Sequence, residues 1–199
     1  LAFANQKQQK GENVSYITTP KFRVSYPNVF KPRLNTLSNK EEYSVKALFQ
    51  KDADLKQLKD AVEAAIISKF GPDKKKWPKL RLPFKDQGEC FVKGTDVLLS
   101  GHEAGAIYIN LKNSKKKPVV VDQRNLPIVD ESLFYSGCWA RAMVNVYCYG
   151  HTVNNGVSIS LEGIQKVSEG EPLSGAPRPE EMFSPVVDSD ENETTDSLF

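Results

Sequence analysis

The sequence predicts a mainly β protein, a small five-stranded Greek-key barrel interrupted by one α-helix and carrying enlarged loops. Three observations lead there. Short stretches of period-2 alternation recur between Gly, Pro and Asn turn signals. Only one stretch switches to helical spacing, so strands and helices do not alternate as an α/β fold requires. A short polar segment near the end joins two long strand candidates as a hairpin. The 199 residues leave room for one core of roughly 150 residues once a polar start and an acidic end are set aside.

Residues 1–15 are polar and read as a flexible N-terminus, and residues 16–170 as the barrel domain. Phe22, Val24 and Tyr26 alternate with Lys21, Arg23 and Ser25, a half-buried strand that Pro27 is expected to close. Tyr43, Val45, Ala47 and Phe49 share one face of a second strand. From Asp52 or Asp54 as N-cap, Leu55, Leu58, Val62, Ile66 and Phe70 recur at helical spacing, ending at Gly71-Pro72. A basic loop from Asp73 to Pro83 follows. In the next strand Ile107, Ile109 and Leu111 face in while Tyr108, Asn110 and Lys112 face out. A second basic turn, Asn113 to Pro118, leads to a short buried strand, Val119 to Val121. Gly137 to Gly150 is the longest strand candidate, and Val157, Ile159 and Leu161 mark the last one, with Asn155-Gly156 as the hairpin turn between them. This set of elements fits an oligonucleotide-binding (OB) barrel whose loops are enlarged at Asp73–Pro83 and Asn113–Pro118.

The charge balance is uneven along the chain. The totals are 27 basic and 25 acidic residues, yet seven of the acidic ones lie from Glu180 onward, where no Lys or Arg occurs. The body is therefore about +9, joined to residues 171–199, which read as a Pro-rich linker followed by a disordered anionic tail. Asp188, Asp190, Glu191, Glu193 and Asp196 supply the tail's charge, and Leu198 and Phe199 an apolar hook. A tethered polyanion competes with any other polyanion for a cationic surface, which points to nucleic acid as the partner.

Other classes find little support. No apolar run approaches the ~18–20 residues of a membrane span. The first residues lack an apolar signal core, and three cysteines are too few for a disulfide framework, so a cytoplasmic location is expected. Cys148 and His151 have C-x2-H spacing without the second close pair of a zinc site. No Walker-type loop or nucleophile constellation is present. A magnesium nuclease built on Asp86, Glu89, Asp96 and Glu103 has nothing to group those carboxylates. No cofactor, metal or catalysis is expected.

The candidate binding residues follow from parity and charge. On the Gly137–Gly150 strand the even positions Cys138 to Cys148 are small and apolar, a core face. The odd face carries Trp139, Arg141, Met143, Asn145, Tyr147 and Tyr149, rings beside a cation, which suits single-stranded nucleic acid because bases stack on rings while cations track phosphates. The competing reading packs Trp139, Met143 and Tyr147 beneath the helix; Met143 is expected there, Trp139 is open, and Arg141 and Tyr149 are assigned to the groove. Lys74, Lys75, Lys76, Trp77, Lys79 and Arg81 form one basic wall, and Lys115, Lys116 and Lys117 a second. Arg23, Lys46, Tyr108 and Lys112 extend the surface from outward strand positions, and Lys21 shares the parity of Arg23.

The run Gly137-Cys-Trp-Ala-Arg-Ala-Met-Val-Asn-Val-Tyr-Cys-Tyr149, with Gly156-Val157, Leu161, Ile164 to Val167 and Gly170-Glu-Pro-Leu-Ser-Gly175, resembles a family of tailed-phage single-stranded DNA-binding proteins. The likeness spans about Lys21 to Gly175. It implies an OB barrel, sequence-independent binding of single strands in phage replication, recombination or repair, and no enzyme activity. The tail from Asp188 to Phe199 is similar to those through which such proteins meet a polymerase, helicase or primase. A protein-interaction scaffold or chaperone with a basic body is the alternative, and a homodimer is left open.

Overall fold

The computed structural model of the protein describes residues 16–36, 39–151 and 154–173. Its strands are β1 (Tyr16–Thr18), β2 (Phe22–Asn35), β3 (Lys40–Leu48), β4 (Leu80–Arg81), β5 (Lys85–Asp86), β6 (Ile107–Asn113), β7 (Val119–Val121), β8 (Trp139–His151) and β9 (Asn154–Ser168). One helix, α1 (Lys56–Phe70), separates β3 from β6. Five strands close a ring in the order β8-β2-β3-β6-β9, with β9 pairing back onto β8. Every seam is antiparallel except β6–β9, which is parallel and registered through Lys112 opposite Ser160. Along the chain the ring strands therefore neighbour one another as first, second, third, fifth and fourth, the Greek-key order of an OB barrel.

The inward positions are those the alternation indicates. Phe22, Val24, Ala47, Ile109, Leu111, Ala140, Val144, Ile159 and Leu161 are fully buried, and Phe22 meets Phe49 edge-on at 5.6 Å. Helix α1 covers the far end of the β8–β9 ribbon, setting Val62 and Ile66 against Val157 with Val146 and Cys148 beside them. Leu55 takes the N-cap position without a capping side chain, while Asp54 accepts from the Lys56 N–H at 2.9 Å. Gly71 ends the helix at φ 83°, the left-handed region where a Cβ is disfavoured.

Several boundaries differ from the sequence reading. Pro27 does not end β2, which continues to Asn35 through a register shift between Ser25 and Asn28. A proline has no N–H to give a ladder, and the bulge removes the need for one. The hairpin pairing runs out to His151 opposite Asn154, so Asn155 and Gly156 lie inside β9. Gly156 is required there by packing, since a Cβ would stand 2.5 Å from the Tyr149 hydroxyl and 2.7 Å from the Arg81 carbonyl. The longest strand is β9, not β8, and Val119 of β7 is exposed while Val120 is buried.

The largest excursion between barrel strands after the helix is the stretch 87–106, and one side chain ties it down. Gln87, 1% exposed, donates to the Phe49 and Ile107 carbonyls at 2.8 Å each and accepts from the Glu103 N–H at 3.0 Å. A second set of ties holds the loop before β8: Lys166 donates to the Leu133 carbonyl and pairs with Glu169, whose carboxylate also accepts from the Tyr135 hydroxyl. The contacts continue into Glu171–Leu173: the Leu173 N–H donates to the Ser136 carbonyl, and its side chain lies against Gly101.

Candidate nucleic-acid interface

Pairing register fixes which side chains share the outer face of β2, β3 and β6, because residues directly opposite in a ladder point the same way. Three rows result: Arg23–Leu48–Tyr108, Ser25–Lys46–Asn110 and Asn28–Ser44–Lys112. The first row is extended at one end by Trp139 of β8, opposite Arg23, and at the other by Lys85 of β5, opposite Tyr108. Cations and rings alternate across this strip. The Lys46 ammonium sits 5.3 Å from the Tyr26 ring centroid and 4.8 Å from that of Tyr108. Lys85 also lies over the Tyr108 ring, 6.0 Å from its centroid, and Lys21 lies 4.8 Å over Trp139. Each such contact at a partly exposed site is worth about 0.5–1 kcal/mol.

Local backbone geometry puts Tyr26 here. By strict alternation it belongs inside with Phe22 and Val24, but the bulge and its φ of 48° turn it outward, leaving it 55% exposed above Lys46. Burial pushes the Tyr108 phenol up to about 12, with Cys90 and Glu89 beside it adding to the shift, so the ring stays neutral. His102 meets Tyr108 edge-on at 6.4 Å, and burial holds its imidazole below its ordinary range. The site's positive charge near pH 7 therefore comes from lysine and arginine. Arg23 donates through Nη2 to the Glu171 carbonyl at 2.7 Å, while its buried Nε has no acceptor.

The structure gathers Arg23, Lys46, Tyr108, Lys112 and Trp139 from the residues the sequence singled out, and Lys115, Lys116 and Lys117 follow directly where β6 leaves the strip. The N–H groups of Lys115 and Lys116 donate to Asn113 Oδ1, which leaves their side chains exposed. Lys112 also faces Glu42 at 3.6 Å.

The other basic wall lies elsewhere. Leu80 pairs with Asn155 and Val119 with Gly163, so the strands that follow the two lysine turns meet β9 about 26 Å apart. Trp77 packs with Val62, Ile66 and Val157, and its ring N–H donates to the Gly71 carbonyl at 2.8 Å. Lys74 pairs with Glu63 at 2.7 Å, Lys75 closes a turn on Asp73, and Lys79 and Arg81 flank the hairpin next to Tyr149. Trp77 thus serves the core under the helix. Replacing it with alanine is expected to lower unfolding free energy by ~3 kcal/mol, read from the denaturant midpoint, with oligonucleotide affinity unchanged.

Alternation along β8 holds throughout, since its bulges fall on the β9 side of the ladder. Its outer face is nevertheless not one surface with the strip. Trp139 lies beside Arg23, but Arg141 lines a different cavity of about 370 Å³ with Met143 and Gln165, and its Nε donates to Gln165 Oε1 at 2.7 Å. Met143, expected beneath the helix, is 49% exposed, because the helix covers only the inner face of this ribbon. Tyr147 is exposed farther along, opposite Ser158. Asp188, Asp190, Glu191, Glu193, Asp196, Leu198 and Phe199 lie outside the described residues, as do residues 1–15.

Comparison with known proteins decides the family. The family described as the ssDNA-binding protein of Enterobacter phage Enc34 matches residues 15–197. The chain belongs to this phage single-stranded DNA-binding protein family. A protein of the Acyrthosiphon pisum secondary endosymbiont phage 1, p50, is 26% identical over 156 residues, covering 77% of this chain and 83% of the relative. Among solved structures, the single-stranded DNA-binding protein of bacteriophage Enc34 in complex with ssDNA superposes with a TM-score of 0.61 at 20% identity, over 80% of this chain and 89% of that one. Gp2.5, a single-stranded DNA-binding protein of bacteriophage T7, gives 0.58 at 14% identity, over 91% and 100%. At those identities the structural likeness speaks to the fold, which is the OB-like barrel common to these phage proteins.

Among the described residues no helix is long and apolar enough to cross a membrane, and no group of three or more His, Cys, Asp or Glu is placed to hold a metal ion. Cys138 lies in the core, where burial pushes its thiol up to about 11.

Proposed function

We propose that this chain binds single-stranded DNA, without dependence on overall sequence, along the outer face of β2, β3 and β6, and that it serves phage DNA replication, recombination or repair without catalysis. The observation that carries the reading is Lys46 between Tyr26 and Tyr108, flanked by Lys85 at one side and by Arg23, Trp139 and Lys21 at the other. Rings offer stacking faces to any base, and the cations between them meet phosphates. This face of an OB barrel is also the one that oligonucleotides use generally. Lys112 and the turn at Lys115–Lys117 prolong the phosphate track. Retention of oligo-dT in a mobility-shift titration at low salt, exceeding that of duplex DNA, is the expected result; no retention overturns the reading.

The acidic residues from Asp188 to Asp196 are proposed to occupy the same strip when DNA is absent and to recruit replication proteins when DNA displaces them, either from a single chain or from a homodimer. Support comes from where the chain leaves the barrel. The Glu171 carbonyl holds Arg23, and Leu173 packs on Gly101, so the continuation starts beside the Arg23–Trp139 end of the strip. From Leu173 the segment up to Asp188 reaches at most about 50 Å, enough to cover the strip. Removing residues 188–199 is expected to tighten oligo-dT binding several-fold at low salt and to change it little at high salt; weaker binding after truncation sinks the competition.

A further inference from the structure

Where the Trp139–Arg23 row meets the stretch 87–106, a cavity of about 170 Å³ opens between the barrel and the loop. This is smaller than the roughly 300 Å³ at which pockets for drug-sized ligands begin, and suits one nucleobase. Trp139 supplies an aromatic wall, and Gly101, with Leu173 against it, closes the far side. Gln87 contributes no free polar group, since its amide is spent on the Phe49 and Ile107 carbonyls and the Glu103 N–H. Beside the Gln50 amide, which also lines the cavity, two charged groups keep hydrogen-bonding capacity. Arg23 Nε is buried without an acceptor, and the Glu103 carboxylate, half-exposed, has only a 3.4 Å contact with Lys51.

The exposed ion pair with Lys51 offsets this carboxylate only weakly, so beside a phosphate-binding strip it still repels phosphate and suits a hydrogen-bond donor. Base edges differ in what they offer such a pair. Cytosine presents an amino group to a carboxylate and ring acceptors to a guanidinium; adenine and guanine also combine amino donors with acceptors. Uracil and thymine replace the amino group by a carbonyl and keep N3–H as their one donor, flanked on both sides by carbonyl lone pairs that oppose a carboxylate. We infer that this cavity is a single base-reading subsite, with Trp139 stacking, Arg23 donating and Glu103 accepting, that favours amino-bearing bases over uracil and thymine. It rests on the interface proposed above and adds one selective position to an otherwise indifferent surface.

The test uses the full chain and oligonucleotides of one length: all dU, dU with a single central dC, and all dC. One dC is expected to raise affinity about tenfold over all dU, and further dC to add little, because each protein holds one such subsite. Glu103→Ala, at an exposed side chain whose backbone N–H still serves Gln87, is expected to erase the single-dC increment, with circular dichroism confirming the fold. Equal affinity for dU and single-dC oligonucleotides overturns the subsite, as does a gain that grows in proportion to dC content or that survives Glu103→Ala. Failure to bind any of the three overturns the interface itself, and the subsite with it.

Discussion

Tyr108→Ala is expected to weaken binding of oligo-dT by about 10- to 100-fold at fixed salt, measured by fluorescence anisotropy. One stacked base is worth roughly 1–3 kcal/mol by alanine substitution. Tyr108 stands at the crossing of the strip, with Lys46 and Lys85 over its ring and His102 edge-on to it. Its loss removes a stacking face and releases both lysines from their present positions. Tyr108→Phe keeps the ring and is expected to bind close to the wild type. An alanine variant that binds as tightly as the phenylalanine variant, both remaining folded, places the stacking surface elsewhere on the barrel.

Salt dependence tests the phosphate track and separates the two lysine turns. The logarithm of affinity is expected to fall with the logarithm of salt at about −0.7 per phosphate contact, so four to six contacts give a slope near −3 to −4. Neutralising Lys115, Lys116 and Lys117 to glutamine is expected to flatten that slope by about 2 and to weaken binding alike for every oligonucleotide. The matching change at Lys74, Lys75 and Lys76 is expected to leave the slope nearly as it was, because the strand after that turn meets β9 about 26 Å from the one after the other turn and Lys74 is committed to Glu63. Equal flattening by the two triple variants requires a DNA path that reaches the helix end.

The barrel was legible in the sequence because alternation reports burial directly. Val45, Ala47, Ile109, Leu111, Val144 and Ile159 all face the core as their parity indicates. What parity does not report is which outward faces adjoin. Trp139 and Arg141 are two residues apart on one face of β8, yet β2 brings Arg23 only to the first of them. Nor does local charge distinguish a wall from a turn, so Lys74–Lys76 and Lys115–Lys117 read alike until register separates them. Tyr26 escaped for another reason: its outward direction arises from a bulge. The signal was Pro27, a residue that a continuous ladder cannot accept without one. Lys85 lies on a two-residue strand, too short for any periodicity to mark.

The closing seam between β2 and β8 has a consequence for biosynthesis. On this seam Phe22 and Arg23 pair with Ala140 and Trp139, so the ring stays open while the intervening chain emerges from the ribosome. At 5–20 residues per second that wait lasts roughly ten seconds. During it the β2–β3 hairpin has an unpaired edge and an uncovered apolar face. Contacts this distant in sequence also place the domain among slow folders, on the millisecond-to-second scale. Rapid, heavy expression would then tax host chaperones before a single finished molecule reached a DNA strand.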